Sequence, residues 1–146
     1  MVHAIKITIM KKIKIITQPV TLIICFLLIL ISGEHLGGFY LLYILLGLPH
    51  GEIHSVLAAA GIGILIFSQI KYKNESNYLV APLLNISGLL LLILSLFLFF
   101  HNDRNHYNYS TFYQTVPLII FGLFNLLAIV FLLTNLSKIK LRQIAT

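Results

Sequence analysis

The chain has 146 residues, of which 59% are hydrophobic and only 10% are charged, and its formal net charge at neutral pH is +6. Soluble domains contain roughly 25% charged residues, so this composition excludes an ordinary soluble domain and indicates an integral membrane protein. The basic residues lie in short clusters beside apolar blocks. This placement argues against a nucleic-acid partner and favours contact with the headgroups of a lipid bilayer.

The apolar residues predict an all-α integral membrane protein, with four transmembrane helices in one small bundle and a single domain over residues 1–146. A helix needs about 17 to 25 apolar residues to cross a bilayer. The predicted spans cover about residues 15–32, 49–70, 78–100 and 112–134.

The first block follows a basic N-terminal stretch, as the apolar part of a secretory signal does. The sequence Ser32-Gly33-Glu34-His35 is a poor cleavage site, and the block is longer than the apolar part of a usual signal. We therefore expect an uncleaved span. Cys25 lies within it and is the only cysteine of the chain, so an intrachain disulfide is excluded.

The second block, Phe39–Ile70, would form a helix of about 48 Å, whereas the hydrocarbon core of a bilayer is about 30 Å thick. Gly47, Pro49 and Gly51 predict a break, because proline donates no backbone hydrogen bond and suits the first turn of a new helix. The second span is therefore expected to start near Pro49. Residues 39–48 before it are predicted to form a short interfacial or re-entrant segment.

The basic residues predict the orientation of the chain in the membrane. Nine of the ten flank one side of the predicted spans: Lys6, Lys11, Lys12, Lys14, Lys71, Lys73, Lys138, Lys140 and Arg142. Arg104 is the exception. Since cytoplasmic loops carry an excess of lysine and arginine, we expect both termini in the cytoplasm and the protein in a bacterial inner membrane.

In this orientation five of the six histidines and three of the four acidic residues fall at the outer face. His50 and His54 are four residues apart, a helical spacing at which two imidazoles can bind one transition metal or flank a haem. His35 or His101 would supply a third ligand, and Glu34 or Glu52 an oxygen ligand or a hydrogen bond that orients an imidazole. Two other interpretations stay open, a solvated outer face without a cofactor and a path for protons or substrate.

A second argument for metal binding comes from the string GLPHG at residues 47–51. It resembles a string found in bacterial membrane oxygenases that cleave carotene to retinal, in which histidines hold iron. The resemblance covers five residues and implies a metal-binding role for His50. That family continues with an Asp-His pair where this chain has His54-Ser55, and its members are longer, so the chain is not assigned to it.

Two features of the predicted spans indicate helix packing. Small residues recur every four positions along the second span: Gly51, Ser55, Ala59 and Gly63. Such a stripe lets helices approach closely, and it predicts packing against another helix of the chain or of a partner. In spans three and four, Asn85 and Asn125 are expected to hydrogen-bond to each other and to fix the register of the two helices.

The sequence contains no nucleotide-binding glycine loop, zinc-type cysteine pair or internal repeat. The preferred hypothesis is a small membrane protein that acts as a subunit or accessory of a larger assembly, bound to another membrane protein or to itself through the second span. The alternative is a metal- or haem-dependent membrane enzyme that uses the outer His/Glu cluster. A transport component is a second alternative. The predicted spans carry no charged residue in the middle of the bundle, which argues against a transporter that works alone.

Overall fold

The computed structural model describes residues 18–32, 37–72 and 79–143. This part is mostly helical. Its elements in chain order are α1 (Pro19–Leu27), β1 (Leu30–Ile31), β2 (Gly38–Phe39), α2 (Tyr40–Gly47), α3 (Ile53–Lys71), α4 (Val80–His101) and α5 (Thr115–Gln143). Two 3₁₀ segments, Leu48–His50 and Asp103–Phe112, precede α3 and α5.

Three of the described helices are long and apolar enough to cross a membrane. They are α3 with 19 residues, α4 with 22 residues and the 26 residues Thr115–Lys140 of α5. At about 1.5 Å per residue each covers roughly 29 Å or more, which matches a hydrocarbon core of about 30 Å. The prediction of a helical membrane protein is confirmed at the level of these three helices. They correspond to the second, third and fourth predicted spans.

The first predicted span, over about 15–32, takes a different form. Helix α1 begins at Pro19, which suits a first helical turn, and its nine residues cover about 14 Å. It ends at Leu27, and β1 then pairs with β2 in an antiparallel ladder. The structure therefore corrects the end of this helix, because the backbone after Leu27 forms hydrogen bonds across a hairpin instead of along a helix. The predicted start of this span, at residues 15–17, lies outside the described residues.

A sharp turn separates α2 from α3, as the glycine and proline residues predict. Gly51 has a φ of +67°, in the left-handed region that glycine enters without steric strain. The amide of Glu52 donates to the carbonyl oxygen of Gly47 at 3.1 Å and closes the turn. A Cβ at Gly47 would overlap the Ser55 Oγ, so the two helices pack closely beside the turn. The long helix consequently begins at Ile53 and not near Pro49.

The centre of the bundle is the crossing of α3 and α4 at two glycines. A Cβ built at Gly61 would lie 3.0 Å from the Gly88 carbonyl oxygen, and one built at Gly88 would lie 2.7 Å from the Leu65 Cγ. The absence of side chains here lets the two backbones approach closely. The apolar core surrounds this crossing and includes Phe26, Tyr40, Leu89, Leu92, Phe99 and Phe124.

The outward surfaces of the helices carry large apolar side chains. Ile70 is 75% exposed, and Leu126 and Leu133 on α5 are 61% and 59% exposed. Soluble monomers rarely expose contiguous apolar surface on this scale. Lipid contact accounts for these side chains, in agreement with the length of the three helices.

Candidate functional site

The start of α3 and the end of α4 meet at one end of the bundle, which we call the histidine end. A pocket of about 320 Å³ lies there and is lined by Glu52, Ile53, His54, Leu98, His101 and Asn102. We call it the polar pocket. It brings together three of the residues predicted as metal ligands, namely Glu52, His54 and His101.

His54 is a core residue. Its side chain is only 6% exposed, and its ring centroid lies 5.2 Å from that of Phe99 and 6.3 Å from that of Tyr40. The Nε2 atom lies 3.0 Å from the Ser55 Oγ, so the serine hydroxyl is hydrogen-bonded to this ring nitrogen. The imidazole is therefore held mainly by aromatic packing and by its neighbour in the sequence.

A buried hydrogen-bond chain lies next to His54. The Ser95 Oγ donates to the backbone carbonyl oxygen of His54 at 2.7 Å, which uses the only hydroxyl hydrogen of Ser95. The Tyr40 hydroxyl lies 2.8 Å from the same Oγ and consequently donates to it. Burial raises the pKa of the Tyr40 hydroxyl above its ordinary value, so it stays protonated as a donor.

The sequence reasoning missed this chain of hydrogen bonds. It left residues 39–48 as either interfacial or re-entrant, and the structure buries Tyr40 completely at the start of α2. The available signal was Ser95, an isolated hydroxyl within a run of leucine and phenylalanine. Such a residue in an apolar helix needs a hydrogen-bond partner, but the sequence does not say which element supplies it.

His50 and His54 do not form the predicted pair. His50 lies in the 3₁₀ segment before the turn, is exposed, and its Nδ1 lies 2.8 Å from the Leu46 carbonyl oxygen. His54 lies in α3 and points into the core. The prediction assumed one continuous helix from Pro49, and the turn at Gly51 breaks the four-residue spacing on which the shared face depended.

The other predicted ligands do not complete a metal site in the described part of the chain. His101 is exposed at the end of α4 and stacks on Phe97, with ring centroids 5.0 Å apart and ring planes 14° apart. His35 lies outside the described residues. Among the residues that the structure describes, no group of three or more His, Cys, Asp or Glu side chains is arranged to hold a metal ion.

The small-residue stripe is divided between the inside and the outside of the bundle. Ser55 is buried, whereas Ala59 and Gly63 are exposed, and a Cβ at Gly63 would meet no atom within 4 Å. Gly51 serves the turn. The close contact with α4 uses Gly61, two residues before Gly63 and thus about 200° away around the helix, at about 100° per residue.

Asn85 forms its hydrogen bond with Asn135 and not with Asn125, the predicted partner. The Asn85 Nδ2 donates to the Asn135 Oδ1 at 3.0 Å, and both side chains are buried. Asn125 is exposed, and its Nδ2 donates to the Phe121 carbonyl oxygen of its own helix at 2.8 Å. The predicted bond between Asn85 and Asn125 is therefore corrected. The reason is the length of α5, which continues beyond residue 134 and brings Asn135 beside the start of the antiparallel α4.

Comparison of the chain with protein-family models, curated proteins and solved structures gives no match.

Proposed function

We propose that the protein is a small integral membrane protein that acts as a subunit or accessory of a larger membrane assembly. In this proposal, α3 binds a transmembrane helix of another membrane protein. The contact surface is the outward side of α3, formed by Ala59, Ala60 and Gly63, which we call the outer small face. All three residues are exposed.

The observation that carries the proposal is the cluster of three exposed small residues, Ala59, Ala60 and Gly63, with open space at Gly63. The opposite side of α3 already packs on α4 through Gly61, so packing within the described chain does not account for the small residues at the outer small face. Most outward positions in α4 and α5 carry large side chains, such as Leu90 and Leu123, and the exposed Gly122 on α5 has no other small residue three or four positions away. Alanine and glycine spaced by three and four residues instead suit the close approach of a second helix.

The position of the outer small face along α3 indicates the kind of partner. Ala59 and Gly63 lie near the middle of the helix, which runs from Ile53 to Lys71. In a bilayer this is the centre of the hydrocarbon layer, where a partner must have its own backbone hydrogen bonds satisfied. A transmembrane helix meets that requirement, and a soluble protein does not reach this depth.

The proposal includes three membrane crossings by α3, α4 and α5, a cytoplasmic C-terminus and a bacterial inner membrane. Its support is the distribution of charge. Lys71 at the end of α3 and Lys138 and Lys140 near the end of α5 lie away from the histidine end, which holds the start of α3 and the end of α4. An excess of lysine at one end of the spans is typical of the cytoplasmic side.

The described residues give no specific support to either alternative function, the metal- or haem-dependent enzyme or the transport component. The metal- or haem-dependent enzyme needed His50 and His54 on one face, and they lie on different segments. A transport component needs polar groups that continue through the middle of the bundle. The polar pocket lies at one end, and the centre of the α3–α4 crossing is formed by Gly61, Leu65 and Gly88.

The proposal is tested by the size of the native assembly. Membranes are solubilised in a mild detergent, and the assembly is resolved by native electrophoresis for wild type, Gly63→Leu and Gly122→Leu. Gly122 on α5 is the matched control, because a Cβ there also meets no atom within 4 Å. We expect wild type and Gly122→Leu to migrate well above the mass of the 16.5 kDa chain, and Gly63→Leu to migrate as the free chain.

A monomeric wild-type protein in native membranes, or equal migration of both variants, would contradict the proposal. Co-expression of two differently tagged copies tests whether the partner is a second copy of the same chain. If the second tag accounts for the whole assembly, the protein is a homo-oligomer, and the accessory role is incorrect.

A further inference from the structure

A second pocket, of about 330 Å³, lies between the end of α4, the segment Asp103–Phe112 and the first half of α5. We call it the aromatic pocket. Its lining includes Phe97, Phe100, Tyr109, Phe112 and Phe121. The volume falls within the range of roughly 300 to 1,000 Å³ that is common for small-molecule sites.

Three phenylalanine rings form one wall of the aromatic pocket. The ring centroids of Phe100 and Phe112 are 4.7 Å apart, those of Phe112 and Phe121 are 5.3 Å apart, and those of Phe100 and Phe121 are 6.1 Å apart. Each ring therefore touches the other two. Their ring planes are tilted by 50° to 89° to one another, so a flat ligand ring can pack against one ring by stacking and against its neighbours edge-to-face, and such contacts add to the apolar burial.

Two polar side chains line the same pocket, His101 and Asn125. Asn125 is ten residues into α5, which corresponds to about 15 Å from the start of the helix. Among the described residues its carboxamide makes one hydrogen bond, from Nδ2 to the Phe121 carbonyl oxygen. An amide has two donor hydrogens and an acceptor oxygen, so one donor and the acceptor stay available to a ligand.

His101 connects the aromatic pocket with the polar pocket, because its side chain lines both. One face of its ring stacks on Phe97, which fixes the plane of the imidazole. A neutral imidazole has one donor and one acceptor nitrogen. The aromatic pocket therefore has a hydrogen-bonding group next to the polar histidine end and a second one deeper along α5.

We propose that the aromatic pocket binds a membrane-soluble molecule with a flat oxygenated ring on an apolar tail, of the isoprenoid quinone class. The ring stacks on the phenylalanine wall, and its oxygens bond to His101 and Asn125. Both groups donate and accept, so they suit the carbonyl oxygens of a quinone and the hydroxyl groups of a quinol. A plain acyl chain fills the space but leaves the Asn125 amide without a partner in the hydrocarbon layer, which is costly.

The test measures ligand binding to the purified full chain in lipid nanodiscs by titration calorimetry. The probe is a benzoquinone with a ten-carbon tail. Decylbenzene has the ring and tail without the oxygens, and decanol has the tail with one hydroxyl. We expect saturable binding of the quinone at one site per chain, and at least about tenfold weaker binding of both control compounds, since two hydrogen bonds are lost with decylbenzene.

Variants assign the binding to the pocket. Asn125→Leu removes the amide, and His101→Phe keeps a ring on Phe97 but removes the nitrogens. Each is expected to weaken quinone binding by about threefold to tenfold, the effect of one lost hydrogen bond, and to leave decylbenzene binding unchanged. Ser87→Ala is the matched control, because this exposed serine donates to the Leu83 carbonyl oxygen of its own helix and lies outside the pocket.

Equal affinity for the quinone, decylbenzene and decanol would show a nonspecific apolar groove and overturn the proposal. Unchanged quinone binding in both pocket variants would do so as well. Circular dichroism of each variant shows whether the helices are retained. The outcome is independent of the assembly of the protein, because the outer small face on α3 is not part of the aromatic pocket.

Discussion

The Tyr40 hydroxyl lies 2.8 Å from the Ser95 Oγ, although the two residues are 55 positions apart in the sequence. Since Ser95 also donates to the His54 carbonyl oxygen, these three residues join α2, α3 and α4 at the histidine end. Tyr40 in addition packs its ring edge-to-face on Phe26 and Phe99. This hydrogen-bond chain therefore fixes the short helix α2 against the two long helices.

A double-mutant cycle tests this contact. We expect Tyr40→Phe to lower the free energy of unfolding by about 0.5 to 1.5 kcal/mol, the usual net value of one hydrogen bond, and Ser95→Ala to lower it by about 1 to 3 kcal/mol, because it also removes the bond to the His54 carbonyl oxygen. The losses of the two single variants should not add in the double variant, because each single variant already breaks the bond between Tyr40 and Ser95. We expect a coupling energy of about 0.6 kcal/mol. Equilibrium unfolding in mixed micelles measures both quantities. Tyr113→Phe, at a side chain that is 88% exposed, is the control and should have no effect. Fully additive losses would contradict the bond.

The two glycines on opposite sides of α3 should respond differently to one added methyl group. Gly61→Ala places a Cβ 3.0 Å from the Gly88 carbonyl oxygen, so we expect a loss of stability of about 1 to 3 kcal/mol from overpacking. Gly63→Ala meets open space and should raise helix stability by about 0.5 to 1 kcal/mol. Thermal unfolding of the detergent-solubilised chain measures the difference. A larger loss for Gly63→Ala would mean that the helix is rotated relative to the structure.

His50 and His54 should contribute differently to the free energy of unfolding. His54→Ala removes a buried ring between Tyr40 and Phe99, and we expect a loss of about 1 to 3 kcal/mol. His50→Ala removes an exposed ring and should change the free energy of unfolding by less than about 0.5 kcal/mol. Elemental analysis of both variants accompanies the unfolding measurement. If each single change removed the same bound metal, the two histidines would share a site, and their placement on two differently oriented segments would be incorrect.

The orientation in the membrane is tested with reporter fusions. A reporter that is active only in the cytoplasm should be active when fused after Thr146 and inactive when inserted between Arg104 and Tyr109. The reason is the excess of basic residues at the ends of α3 and α5 away from the histidine end. A periplasm-specific reporter at the same two positions is the control and should give the opposite pattern. The reverse result would place the polar pocket on the cytoplasmic side.

The sequence predicts the long elements well because hydropathy and length constrain them strongly. The second, third and fourth apolar blocks correspond to α3, α4 and α5, and the glycine and proline residues at 47–51 mark the turn before α3. A bilayer requires long apolar helices with satisfied backbone hydrogen bonds, and the length and hydropathy of such helices can be read directly from the amino-acid sequence.

The sequence does not predict how each helix is rotated or which residues meet across the bundle. Every face of these helices is apolar, so the polar side that orients a soluble helix is missing. Gly61 and Gly63 are therefore equivalent in the sequence, although only Gly61 packs on α4. Asn85 had several amide partners within reach, and the actual partner, Asn135, depended on where α5 ends.

The central claim is that the outer small face of α3 contacts a helix of another membrane protein. The most direct measurement is photocrosslinking in intact membranes, with benzoylphenylalanine in place of Phe67. This exposed aromatic residue lies four positions after Gly63, on the same side of α3. We predict a discrete crosslinked protein band from position 67 and no band from the control position Leu123 on α5, which is 60% exposed. Crosslinking of lipid alone at both positions would contradict the claim.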